Sequence, residues 1–293
     1  MKALRVFIRL VLAVCILLFA AGLVINLFNL FTFRKPDAAI LAAIAPADGF
    51  TVAMDSVGYE RGTICYAAVR LRSAEPRDAV FFVHGSPGAL DAYTPYLQDQ
   101  RLRERADLFS YDRPGFGQTR PIREEPSLAA QAAALAALIR ETGARRNILV
   151  GHSLGSSIIA RYAMDYPDEV HGLVLISAPI DPDLEPPNWW RYLLDFPLIR
   201  VAVPRPLAIS NAELLPLKEE LRTCLPHWSA IRCPVYFVHG DRDQLVPVGN
   251  VAFGERVLDG DVPQTSHVVS GEGHFILWTH VDEIVDVIIT ALD

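Results

Sequence analysis

The residue types best suited to chemistry meet in Gly151-His152-Ser153-Leu154-Gly155. The apolar run Ile148 to Val150 before it predicts a buried strand. Ile158, Ile159, Tyr162 and Ala163, at helical spacing, predict a helix over 156–166. Strand, sharp turn and helix form the context of a nucleophile elbow, which lifts a serine hydroxyl above a sheet at the positive end of a helix. Gly151 and Gly155 lack Cβ atoms, so strand and helix can close up on either side of a strained Ser153. Gly-x-Ser-x-Gly alone is a weak pattern, and it is the flanking signals that make a plain turn serine the poorer reading.

A serine hydroxyl is a poor nucleophile until a base takes its proton, so the elements that could bring partners to Ser153 matter next. Phe50 to Tyr59 and Thr63 to Leu71 predict an antiparallel pair. Ala79 to Val83 predicts a strand ending in His84-Gly85-Ser86-Pro87-Gly88, and a helix is expected from Tyr93 to Arg105. Leu108 to Tyr111 is the next strand and runs into Asp112-Arg113-Pro114-Gly115. Ser127 caps a helix reaching Thr142, with Gly143 at its end. Gly172 to Ser177 and Pro234 to Val238 are further strands, the second ending in His239-Gly240-Asp241-Arg242-Asp243. After a helix over Val251 to Leu258, Ser266 to Val269 is the last strand, followed by Gly271-Glu272-Gly273-His274-Phe275 and a closing helix from Ile276 to Leu292. This alternation predicts a mostly parallel sheet with helices on both faces. Ligands gather at the carboxyl ends of such strands, where Ser153 and the Gly-rich turns all fall.

Between Pro179 and Arg232 the rhythm breaks. Prolines are frequent, Trp189, Trp190, Tyr192 and Phe196 cluster, and a helix is expected over Ala212 to Cys224. We read an inserted lid at about 180–232, rather than a long loop on the sheet's flank. Trp189 and Trp190 are candidates for lining an acyl pocket, for anchoring the lid or for touching a membrane surface.

At 293 residues, 51% hydrophobic and 21% charged, the chain can bury a large core. A net charge of −7 without a basic block argues against nucleic acid as a partner. The four cysteines form no Cys-x-x-Cys pair and no His/Cys cluster with zinc spacing, so no metal or cofactor is expected. Cys224 and Cys233 could bridge in an oxidising compartment, but buried free thiols are the plainer expectation.

Lys2, Arg5 and Arg9 precede an uncharged stretch from Leu10 to Phe33, closed by Arg34 and Lys35. As a helix this stretch spans roughly 36 Å, enough for a hydrocarbon core of about 30 Å. The favoured reading of 1–35 is an uncleaved membrane anchor, with the catalytic domain on the non-cytoplasmic side. A signal peptide cleaved near Ala20-Ala21-Gly22, giving a secreted protein, and a helix packed on the soluble domain are the alternatives. Residues 36–49, including Pro36 to Pro46, read as a linker, and 50–293 as the enzyme domain. Nothing in the sequence signals the oligomeric state.

Four motifs carry a resemblance: His84-Gly85-Ser86-Pro87-Gly88, Gly151-His152-Ser153-Leu154-Gly155, Gly240-Asp241-Arg242-Asp243 with Pro247, and Gly273-His274-Phe275. In this order, over Phe50 to the C-terminus, the chain resembles the α/β-hydrolase superfamily, and among its members the lid-containing, esterase- and lipase-like serine hydrolases. The resemblance implies an α/β-hydrolase fold with an eight-stranded, mostly parallel sheet and a cap. It implies Ser153 as nucleophile, His274 as base and Asp243 as the acid, with Asp241 as the rival acid or a turn cap. The backbone N–H groups of Ser86 and Leu154 are the implied oxyanion donors.

The expected activity is therefore hydrolysis of carboxylic esters, of small hydrophobic or acyl-lipid kind, through an acyl-enzyme. C–C bond hydrolysis or a proline-iminopeptidase-like activity is the alternative on the same fold. A binding protein that keeps the fold without catalysis is the alternative of another class. His84 and His239 are expected to hydrogen-bond their loops, His152 to point away from the nucleophile, and Asp112 and Arg113 to serve structural ion pairing.

Overall fold

Eight strands form one sheet in a computed structural model that describes residues 2–293 except Pro46, Ala47, Ala74, Pro187 and Asp259. They are β1 (Phe50–Tyr59), β2 (Gly62–Leu71), β3 (Asp78–Val83), β4 (Ala106–Tyr111), β5 (Asn147–His152), β6 (Gly172–Ile176), β7 (Val235–Gly240) and β8 (Gln264–Val269). Their order across the sheet is β1-β2-β4-β3-β5-β6-β7-β8. The hairpin β1–β2 and the β2–β4 pair are antiparallel, and every pairing from β4 to β8 is parallel.

Side chains alternate across each strand, and the central strands are apolar on both faces, as a sheet covered twice requires. Phe81, Phe109 and Leu149 face one core with Leu135 and Ile158 of the helices Leu128–Thr142 and Leu154–Asp165. Val80, Phe82, Ile148 and Val150 face the other core, with Ile284 and Ile288 of the helix Val281–Leu292. The expected caps are in place. Ser127 accepts from the Ala130 N–H at 3.4 Å, and Gly143 ends that helix in the left-handed region with φ 59°.

Several expected elements are broken in two, each by a residue with a local reason. The helix expected over 93–105 is interrupted at Asp99, whose carboxylate accepts from the Leu102 N–H and starts a second helix, Gln100–Arg105. The helix expected over 212–224 is two, Arg205–Leu214 and Leu217–Cys224, with Pro216 between them. The closing helix is split at His280.

The N-terminal region differs more. Helix α1 (Lys2–Leu27) stops short of Phe33. Asn29 takes φ 49° and the Leu30 N–H donates to Ile25 O at 2.9 Å, the hydrogen bond of a left-handed helix stop. The segment read as a linker holds helix α2 (Asp37–Ile44), whose Ile40 and Ile44 are fully buried in the second core. Two isoleucines four apart give even a two-turn helix one apolar face to bury. Pro46, the expected linker end, lies outside the described residues.

Candidate active site

The elbow is built as its glycines suggest. Ser153 joins β5 to the helix Leu154–Asp165 with φ 53° and ψ −129°, a conformation that costs a non-glycine residue energy and needs support. The Ser153 N–H donates to Ile176 O of β6 at 2.8 Å. A Cβ on Gly155 would lie 2.0 Å from Val83 O, and one on Gly151 would lie 2.6 Å from the Gly155 backbone. Only hydrogen at these two positions lets strand and helix meet this closely.

Ser153, Ser86 and His274 line one cavity of about 480 Å³ at the carboxyl ends of the strands. Behind it, His274 Nδ1 is 2.8 Å from Asp243 Oδ2. This bond fixes the proton on Nδ1 in the neutral ring and leaves Nε2 as an acceptor. The carboxylate is itself oriented, because its Oδ1 accepts from the N–H groups of Leu245 at 2.9 Å and Val246 at 2.8 Å. His239 Nε2 lies 2.9 Å from Val246 O and 3.4 Å from Asp243 Oδ2. Burial by itself raises the Asp243 pKa, but the hydrogen bonds from His239, His274 and Val246 outweigh it and hold the carboxyl well below its ordinary range. Asp241 faces elsewhere. It accepts from the Gly271 N–H at 2.7 Å and from Ser270 Oγ at 3.2 Å, as a turn cap does.

The neighbouring histidines divide the expectations. His84 hydrogen-bonds its own loop: Nδ1 is 2.8 Å from Gly85 O, and Nε2 accepts from the Arg113 N–H at 3.1 Å. His152 does not point away. Its ring centroid is 4.9 Å from that of His274, and its Nε2 lies 3.0 Å from His274 O, so it is part of the cavity floor. His152 is still paired with Ile176 in β5, and alternation gives it the face of Ile148 and Val150, on which the His274 turn and Trp278 pack. Burial, with the charge on His274 second, pushes its pKa down to about 3, which keeps the ring neutral.

The two expected oxyanion donors lie in the loop after β3 (Ser86) and directly after Ser153 (Leu154). Leu154 is the first residue of its helix, so its N–H is one of those a helix start leaves without a helical partner. Ser86 lies on the cavity wall, and its Oγ donates to Glu213. Glu213, from the insert helix Arg205–Leu214, is buried and pairs with buried Arg113 at 2.7 Å. Arg113 in turn donates from Nε to His84 O at 2.9 Å and from Nη2 to Gly85 O at 3.0 Å. The loop His84 to Gly88 is thereby clamped from the insert side. Asp112, next door, pairs instead with Arg34 at 2.6 Å, from the segment after α1. Both residues of this turn thus form buried ion pairs, and nothing in the sequence near Glu213 or Arg34 marks them as the partners.

The lining differs from expectation most at the rim. Among the described residues none of the insert lines this cavity. Trp189 and Trp190 stand on its outer face, 70% and 42% exposed, and Trp189 borders a separate depression with Glu185 and Tyr192. The rim consists instead of Phe33, Leu245, Phe275 and Trp278. Phe33 arrives from the far end of the chain because Arg34 is drawn in by Asp112. Among the described residues no group of three or more His, Cys, Asp or Glu side chains is arranged to hold a metal. Cys224 and Cys233 are both buried and are free thiols.

Residues 78–198 match the family model of the alpha/beta hydrolase fold. A dihydrolipoyllysine-residue acetyltransferase component of the acetoin cleaving system of Cupriavidus necator is 29% identical over 161 residues, 48% of this chain and 42% of that protein. The chain therefore spans less than half the length of that relative. Among solved structures, a membrane phospholipase A described as a bacterial virulence factor superposes with a TM-score of 0.65 at 22% identity, over 100% of this chain and 98% of that one. The carboxylesterase CesB of Bacillus subtilis gives 0.65 at 15% identity, over 87% and 95%. At such identities the likeness establishes the fold.

Proposed function

The chain belongs to the α/β-hydrolase superfamily, and on that premise we propose that it is a serine hydrolase of carboxylic esters. The observation that carries the reading is Ser153 at a strained elbow, sharing a cavity with a His274 whose Nδ1 bonds Asp243. In this reading His274 Nε2 takes the Ser153 proton as Oγ attacks the ester carbonyl. The positive charge that forms on the ring is stabilised by Asp243, already held as a carboxylate. The oxyanion is met by the N–H groups of Leu154 and Ser86, each donor being worth about 10²–10³ in rate. His274 then returns the proton to the leaving alcohol, and water, activated by the same ring, cleaves the acyl-enzyme.

The rim supports a substrate class. Phe33, Leu245, Phe275 and Trp278 offer an apolar mouth, which suits an acyl chain or another hydrophobic ester. The esterase and phospholipase among the structural neighbours agree with this reading. We assign α1 as a retained anchor: over Ala3–Leu27 it is long and apolar enough to span a membrane, and almost none of its apolar stretch is buried against the protein. Lys2, Arg5 and Arg9 in its first turns, against Arg34 and Lys35 beyond its far end, favour the enzyme domain on the non-cytoplasmic side.

Labelling with a fluorophosphonate probe tests the chemistry. Wild type is expected to label and Ser153→Ala not to. A folded wild type that stays unlabelled, with detergent present as well as absent, overturns the hydrolase reading in favour of a binding protein.

A further inference from the structure

We infer that the outer face of the insert is a second membrane-contact surface, seated in the lipid interface beside α1. The inference rests on the assignment of α1 as a retained anchor. What carries it is where the insert grips that helix.

Asn26 is a polar residue in the otherwise uncharged, apolar part of α1 beyond Arg9, and the insert supplies its hydrogen bonds. Its Nδ2 donates to Val201 O at 2.9 Å and to Val203 O at 2.8 Å, and its Oδ1 accepts from the Arg205 N–H at 2.9 Å. Both amide protons and the carbonyl are used, so the insert backbone is a built partner of α1. One turn earlier, Gly22 lies so close to the insert that a Cβ there would fall 1.9 Å from Ala202 O.

These contacts fix a depth. Gly22 is twelve residues beyond Leu10 and Asn26 sixteen beyond it, which is roughly 18 Å and 24 Å along a helix. A hydrocarbon core is about 30 Å thick. If Arg9 marks the near edge, Val201 to Val203 sit inside the far edge. If Arg5 and Arg9 snorkel and the span begins at Ala3, Gly22 comes only to roughly 28 Å, still at the boundary.

The surface at that depth has the composition of a lipid interface. Trp189, Tyr192, Leu193, Phe196, Leu198 and Val201 are each more than half exposed. They belong to the turns and short helices Trp190–Asp195 and Pro197–Arg200, which lead into the contact with α1. A patch of this kind is unusual on a monomer in water, whereas Trp and Tyr beside aliphatic residues are what the headgroup boundary selects.

Tryptophan emission provides the test, because all four tryptophans, 189, 190, 228 and 278, lie outside α1. The full chain is reconstituted in phosphatidylcholine vesicles whose acyl chains are brominated near the carbonyl end. Emission of the wild type is expected to be quenched, and Trp189→Phe/Trp190→Phe to lose roughly half of that quenching or more, as interfacial residues would. Replacing Trp278 by Phe should remove less. Quenching that the double variant leaves unchanged, or its absence in protein that pellets with alkali-washed vesicles, overturns the proposal, whether water or a second copy covers the face. Alkali-resistant pelleting reports on α1 and fluorophosphonate labelling on Ser153. Failure of the anchor or of the hydrolase reading is thus seen separately from failure of the docking surface.

Discussion

The floor and the rim of the cavity are held in different ways. On the floor, Asp243 accepts from His274, Leu245 and Val246, and His84 is bracketed by Gly85 and Arg113. On the rim, Phe33, Leu245, Phe275 and Trp278 are 43%, 61%, 60% and 45% exposed. A side chain with several hydrogen-bond partners has one place to be, and moving it leaves buried groups unpaired. An exposed aromatic side chain can be exchanged for another at little cost to the fold. The floor therefore holds one arrangement of side chains, while the rim can change without disturbing it.

The largest expected effect divides the two aspartates. Asp243→Asn should lower ester turnover about 10⁴-fold, because the wrong tautomer of His274 is then held. Asp241→Asn, altered at a surface turn, should leave turnover within about threefold. Steady-state rates on one hydrophobic ester measure both, and equal losses would break the assignment of the floor.

Next in size is the clamp on the loop His84 to Gly88. Glu213→Gln leaves the Arg113 guanidinium buried without a counter-charge, which should lower the unfolding free energy by about 3–5 kcal/mol. Urea titration beside Trp278→Ala, whose side chain is on the rim, sharpens the contrast: the rim variant should lose about 1 kcal/mol or less.

The floor should also carry a pH signature. His152 is pushed down to about 3 from an ordinary 6.5, by burial first and then by the charge on His274. Between these values the unfolded chain binds a proton that the folded chain refuses. Stability therefore falls as pH drops from 6.5 towards 3, by up to about 1.4 kcal/mol per pH unit for this one ring. The depressed carboxyl of Asp243 stabilises the fold above its ordinary value of 3.8, and that contribution is lost only below it. Melting temperatures at pH 7.5, 6 and 5 should fall more gently in His152→Gln than in wild type. A parallel fall in both would show that His152 is not the group responsible.

The smallest effect belongs to the rim. Phe33→Ala and Phe275→Ala should raise KM for a long-chain ester about tenfold, near 1.4 kcal/mol, with kcat kept. A loss in kcat instead would mean that these rings position the ester at Ser153.

The floor was the legible part of the sequence because each of its residues lies in a short motif at a strand end, where local geometry and chemistry coincide. The resemblance favours Asp243 over its rival Asp241, and it is Asp243 that bonds His274 while Asp241 caps a turn. His152 was misjudged because the face that alternation gives it is the one on which the His274 turn and Trp278 pack, a long-range neighbour no local pattern shows. Phe33, Glu213 and the outward placing of Trp189 and Trp190 were not legible. The first two depend on ion pairs between residues dozens to a hundred positions apart, Arg34 with Asp112 and Glu213 with Arg113, and no local pattern encodes such partners. The helix breaks at Asp99 and Pro216 had local signals, a capping residue and a missing donor, which the longer apolar periodicity masked.

The grip on the N-terminal segment has a mechanical consequence. Asn26 is fastened to the insert, Arg34 to Asp112, and only eight positions separate them. An enzyme on a flexible leash samples many tilts and heights above the surface to which it is tied. Here α1 acts as the shaft of a rigid handle, so domain and helix must tumble together. The direction in which the cavity mouth faces is then set by the angle of that shaft. A kink introduced into α1 would re-aim the enzyme without touching any residue of its active site.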